Sequence, residues 1–100
     1  EGVSCVDMED ILLIQPEERS TVLYLAGGER LVTSDSLSEL DERLPDDMFF
    51  RTHKSYVVGL RHIDSITPYG RWTYVVKLRG TTHDALVTAE RLEILQKMFA

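Results

Sequence analysis

Residues 49–60 read FFRTHKSYVVGL. Phe49, Phe50, Tyr56, Val57, Val58 and Leu60 are strand formers suited to a half-buried sheet. Arg51, His53 and Lys54 interrupt them, and a cation beside a core needs a partner. Read as one continuous strand, the stretch points Arg51, His53 and Ser55 to one face and Lys54 to the other. An anion is expected to meet this segment, and the rest of the chain has to say which.

Downstream, HIDSITPYGRWTYVVKLRG (62–80) reads as a hairpin with turn chemistry at Pro68-Tyr69-Gly70. In its second arm, alternation puts Trp72, Tyr74, Val76 and Leu78 on one face. A short strand is expected over 83–87, and Thr88 can cap a last helix whose Leu92, Leu95 and Phe99 line up for the core. Upstream, Ser36 and Glu39 form an S-x-x-E capping box ahead of Leu37, Leu40 and Leu44, and Pro45 ends that helix. STVLYLAGGERLVT (20–33) places Gly27-Gly28 between two apolar runs, the pattern of a tight hairpin. Ile11–Gln15 reads as a central apolar strand leaving through a polar loop at PEERS, and residues 2–6 as a short first strand. The expected fold class is mainly β: small antiparallel sheets with two short helices and no βαβ alternation.

One hundred residues suit a single domain, 1–100. No apolar run is long enough to cross a bilayer, and none reads as a signal peptide. The chain opens on Glu1, so a piece of a longer protein is expected. The lone Cys5 excludes an internal disulfide and a multi-cysteine zinc site and suits the cytoplasm. Net charge is −6, which taken alone argues against nucleic acid. The distribution argues otherwise. Residues 1–50 hold 13 acids and 3 bases, while residues 51–100 hold 4 acids and 8 bases. Either the halves pair with each other across the fold, or the basic half awaits a polyanion.

Catalysis finds little support. No acid orients His53 locally, and the GxSxG, P-loop and HExxH patterns are absent. His53, His62, His83 and Cys5 lack metal-ligand spacing. Neither an enzyme nor a cofactor is expected. A nucleic-acid reading needs bases and short polar side chains on protruding turns. Arg19, Ser20 and Thr21 lie at a loop end, Lys54 and Ser55 within the opening stretch, Arg71 at a hairpin turn, and Thr88 and Arg91 at the last helix. No helix-turn-helix appears and neither helix has a basic face, so turns would do the reading.

FFRTHKSYVVGLRHIDSI (49–66) resembles the core motif of the LytTR family of bacterial DNA-binding domains, F-x-R-x-H-[RK]-S-[YF]-[VL]-V-N-x-x-x-I. EDILLIQPEE, SLSELDERLPDDMF and VTAERLEIL extend the resemblance over nearly the whole chain. It implies an elongated β fold that binds double-stranded DNA through loops set into successive major grooves. It further implies paired direct-repeat sites, two copies on DNA, and an N-terminal receiver or sensor domain of a response regulator. Base-reading positions would fall near Ser20 and Thr21 (with Arg19 the nearest base), at Lys54, and at the TAER turn with Arg91. Phosphate-contacting positions would match Ser55, Arg71 and Thr88. The sequence departs from the pattern twice: Gly59 stands where the family usually has Asn, read here as a loop-shaping glycine, and Glu90 where it has a base. The acidic half and Glu90 motivate the alternative, an interaction or dimerisation module of the same fold that no longer binds DNA.

Overall fold

The computed structural model describes residues 6–99; the strand expected over 2–6 lies almost wholly outside them. β1 (Ile11–Glu17), β2 (Ser20–Leu25) and β3 (Arg30–Thr33) form a meander, and β4 (Phe49–His53) pairs with β5 (Tyr56–Gly59). β5 docks antiparallel on β1, giving a five-stranded sheet in the order β3-β2-β1-β5-β4. β6 (Ile63–Pro68), β7 (Thr73–Leu78) and β8 (Ala85–Thr88) form a second antiparallel sheet. α1 (Leu37–Arg43) and α2 (Ala89–Met98) complete an elongated body of 45 × 26 × 25 Å. Among the described residues no helix is long and apolar enough to cross a membrane.

The central position of β1 follows from its composition. Ile11, Leu12, Leu13 and Ile14 are all buried, which only a strand covered on both faces allows. A bulge between Ile11 and Leu13 resets the alternation. Leu12 and Leu13 therefore join Val22, Tyr24, Val58, Val76, Leu78, Ala85 and Val87 in a core between the two sheets. Ile11 and Ile14 join Leu25, Leu37, Phe49 and Val57 under α1.

Local signals in the sequence explain the helices. Ser36 Oγ accepts from Glu39 N–H at 3.1 Å, and Glu39 Oε1 accepts from Ser36 N–H at 2.7 Å, closing the capping box. Thr88 Oγ1 accepts from Arg91 N–H at 3.1 Å and caps α2. Leu95 is buried and Leu92 packs against the inter-sheet core. Phe99 departs from its expected core position. The helix ends at Met98, and Phe99 sits outside it with 65 % of its surface exposed.

Four other expectations change. PEERS is no loop: strand pairing continues through Glu17↔Ser20, leaving only Glu18 and Arg19 as the turn, with Glu18 at φ 55°. The Gly27-Gly28 hairpin forms, but its loop is Ala26–Gly28, closed by Leu25 N–H to Glu29 O at 2.9 Å, with both glycines at positive φ. Trp72 does not continue the buried face of β7. It lies before that strand at φ 66°, a left-handed conformation costing an L residue roughly 1–2 kcal/mol. Gly59 shapes no loop. It is a buried, extended residue ending β5, and a Cβ there would meet Ile11 O at 2.5 Å.

Candidate nucleic-acid interface

The opening stretch is two strands rather than one. His53 pairs with Tyr56 across a turn made of Lys54 and Ser55. No glycine or proline makes this turn; side chains hold it. Arg51 Nη2 donates to Lys54 O at 2.5 Å and its Nε to His53 O at 3.4 Å, while Nη1 reaches Ser38 Oγ on α1 at 3.0 Å. His53 Nδ1 accepts from Ser55 N–H at 3.1 Å, so that nitrogen carries no proton in this arrangement. Arg51 and His53 thus build the turn, and Lys54 is left exposed at its tip.

Arg91 fixes the neighbouring element in the same manner. Its Nε donates to Arg51 O at 2.9 Å, and its guanidinium lies 4.6 Å from the centre of the Phe50 ring, within cation–π range. The start of α2 is thereby tied to β4. Arg51, His53, Lys54, Thr88, Glu90 and Arg91 line one shallow recess of about 300 Å³. Residues far apart in sequence, 51–54 and 88–91, meet here. Glu90 is exposed at this recess and makes no ion pair with Arg51, Lys54 or Arg91.

Strand register places the other turns. β1 opposes β5 through Leu13↔Val58 and Ile14↔Val57, so the Glu18-Arg19 turn and the Lys54-Ser55 turn lie at the same end of the five-stranded sheet. In the second sheet Thr73 pairs with Thr88, and Ala89 N–H donates to Trp72 O at 2.8 Å. That sets the 69–72 turn, with Arg71, against the start of α2. Of the short polar residues, Ser20 and Ser55 are half-buried at turn edges. Thr88 spends its hydroxyl on the helix cap, and Thr21 is buried within β2 at 4 % exposure, leaving it no surface to offer.

The ion pairs sort the cations. Arg30–Glu17, Arg43–Asp35, Arg61–Glu9, Lys77–Asp84 and Arg79–Asp64 lie within 4 Å. Arg61–Glu9 alone joins the acidic half to the basic half by a direct ion pair among the described residues. Arg19, Arg51, Lys54, Arg71, Arg91 and Lys97 have no such carboxylate among the described residues. Asp41 and Asp46 line an adjoining recess with Arg51 and Arg91 without pairing to them.

Glu17, one residue from the turn that carries Arg19, is engaged elsewhere. It accepts from the Tyr24 hydroxyl, from Arg30 Nη2 at 3.0 Å and from Gln15 Nε2 at 2.9 Å. These bonds, Tyr24 first, lower its pKa from 4.5 to about 2. Partial burial and the same carboxylate push the Tyr24 hydroxyl up. A lowered folded-state pKa means that the stabilisation is present above the unfolded value and fades as pH falls from about 4.5 to about 2. Glu17→Gln is expected to flatten the acid limb of the stability curve across that window. Urea melts of parent and variant at stepped pH check this, and parallel acid limbs would refute it. Because the side chain is 28 % exposed, solvent screening keeps the effect small.

These features define a two-sheet β domain that carries four cations without an ion-pair partner among the described residues, Arg19, Lys54, Arg71 and Arg91, on turns and at a helix start. The chain belongs to the LytTR family: the family model, described as the LytTr DNA-binding domain, matches residues 1–100. Among curated proteins it is 25 % identical over 91 residues to the transcriptional regulatory protein NatR of Bacillus subtilis, covering 91 % of this chain and 39 % of that protein. It is 26 % identical over 98 residues to the transcriptional regulatory protein YpdB of Escherichia coli K12, covering 98 % of this chain and 40 % of YpdB. The sensory transduction protein LytT of Bacillus cereus is 33 % identical over 74 residues, covering 74 % of this chain and 30 % of LytT. The chain thus spans two fifths or less of these relatives. A solved LytTr DNA-binding domain from Bacillus cereus superposes with a TM-score of 0.80 at 21 % identity, over 95 % of this chain and 85 % of that one, and has the same fold.

Lys54, Arg71 and Arg91 are the cations that the sequence placed at a strand start, a hairpin turn and the last helix, and the structure sets them at a turn, a hairpin tip and a helix start. Sequence reasoning missed the tie from Arg91 to the Arg51 carbonyl, since no local pattern encodes a bond across 40 residues. It also placed Trp72 on the wrong surface; Gly70, at φ 71° just ahead of it, was the available sign that the strand had not begun.

Proposed function

We propose that this chain reads double-stranded DNA as the output domain of a bacterial transcription regulator working in the cytoplasm. The Glu18-Arg19 turn, the Lys54-Ser55 turn and the start of α2 face successive major grooves along one side of the duplex. Arg19, Lys54 and Arg91 approach base edges; Ser55, Arg71 and Thr88 approach phosphates. Two copies occupy paired direct repeats, and a receiver or sensor domain precedes this one in the whole protein. The observation that supports the reading is that Arg19, Lys54, Arg71 and Arg91, on two sheet turns, a hairpin tip and the start of α2, have no carboxylate within ion-pair distance among the described residues, whereas Arg30, Arg43, Arg61, Lys77 and Arg79 do.

Selection from a pool of random duplexes tests it. Enrichment of a repeated motif, with affinity falling steeply as salt rises, is the expected result. Tight self-association or capture of a protein partner with no enriched duplex would instead favour the interaction-module reading, which Glu90 at the recess recommends.

A further inference from the structure

Trp72 is the sole tryptophan of the chain and its most exposed large apolar side chain among the described residues, at 74 %. Tyr69, on the same hairpin tip, is 60 % exposed. A bulky residue at φ 66° is an outlier that glycine would relieve, and such outliers persist where the surroundings impose them. Here the imposition is visible. Tyr69 N–H donates to Thr73 O at 2.9 Å, and the Trp72 carbonyl accepts from Ala89 at the start of α2 at 2.8 Å. The hairpin tip is thus clamped in a shape that holds an indole out in solvent beside Arg71, a cation without a carboxylate.

We infer that Trp72 is a duplex-contacting residue, its indole lying along the deoxyribose wall of the groove next to the phosphate that Arg71 meets. The inference rests on the DNA reading above and adds to it a non-ionic contact. A second copy of this chain suits the tip poorly, because stacking the two indoles against each other would bring the two adjacent Arg71 side chains, neither paired with a carboxylate, close together. A duplex offers what the tip lacks: phosphates for Arg71, C–H surface on the sugars for the ring, and an oxygen acceptor for the indole N–H. Burying the ring releases water rather than counterions, so this contact contributes affinity that salt does not erode.

The single tryptophan makes the test direct. Random-sequence duplex DNA carrying a terminal dye is titrated at low salt, with dye anisotropy reporting binding and tryptophan emission reporting residue 72 alone. Emission is expected to change along the same isotherm as anisotropy. Trp72→Ala should bind on the order of tenfold more weakly, the loss expected from one aromatic anchor. Its salt slope should match the parent's, whereas Arg71→Ala should lower the slope by about 1. Trp72→Phe should recover part of the loss. Trp72→Gly, which relaxes the backbone, should melt no lower than the parent and still bind weakly, so that a folding defect cannot account for the loss. Unchanged emission at saturating DNA, or parental affinity in Trp72→Ala while Arg71→Ala weakens, would overturn the role of Trp72 and leave the DNA reading standing. No binding of any duplex at low salt would remove both.

Discussion

Gly59→Ala is expected to destabilise the fold by about 1–3 kcal/mol, the usual cost of forcing atoms into a filled site. An added Cβ would stand 2.5 Å from Ile11 O and 3.0 Å from His62 Cδ2. The first of these is backbone in the central strand and cannot swing aside. His62 is itself held, its ring nitrogen 2.6 Å from Glu9 O. Relief therefore requires β1 and β5 to part at the end where Ile11 supports the core beneath α1. Gly59→Asn, the residue that the motif resemblance leads one to expect here, should cost at least as much. Its backbone is extended, so the expected loss owes nothing to the glycine's conformational freedom. Equilibrium urea unfolding measures the change; a midpoint equal to the parent's would mean the strands separate freely here.

Lys54→Ala should produce the largest loss of DNA affinity of any single change at the turns. The Lys54 side chain is exposed at the tip of a turn that Arg51 and His53 hold through main-chain atoms, so its removal leaves the turn intact. If Lys54 meets a base edge, its loss costs about 1–3 kcal/mol, from about 5-fold to more than 100-fold in affinity. It should also relax discrimination at one position of the site. Arg71→Ala should weaken all duplexes more evenly, as a phosphate contact does. Competition binding with the selected duplex and single-base variants separates the two. Equal losses on every duplex for both variants would move Lys54 from the bases to the backbone, and parental binding by both across salt would remove the contact assignment.

Much of this architecture was legible because local chemistry and tertiary demand agreed. The Ser36–Glu39 box, the Thr88 cap and the apolar run at Ile11–Ile14 act within a few residues, and the chain delivers what they specify. The failures share a cause. Phe49–Gly59 looked continuous because its turn is made by Arg51 and His53 rather than by turn-forming residues. Phe99 followed helical spacing one step past the helix that gives the spacing meaning. Trp72 followed strand alternation one step ahead of the strand. Gly59 is set by a neighbour 48 positions away in sequence, Ile11, which no window of local pattern contains.

The arginines that bond carbonyls have one more consequence. A guanidinium held by a carboxylate is electrically silent at a distance; one held by a carbonyl keeps its full charge. Arg51 and Arg91 are anchored by main-chain oxygens, so neither guanidinium is cancelled by a direct carboxylate partner, on a chain whose total charge is negative. Such a body carries an electric moment as well as a net charge. On the DNA reading proposed above, a duplex arriving at these turns would meet guanidinium charge that no carboxylate has cancelled, which would favour that orientation during the encounter, before any side chain tests a base pair.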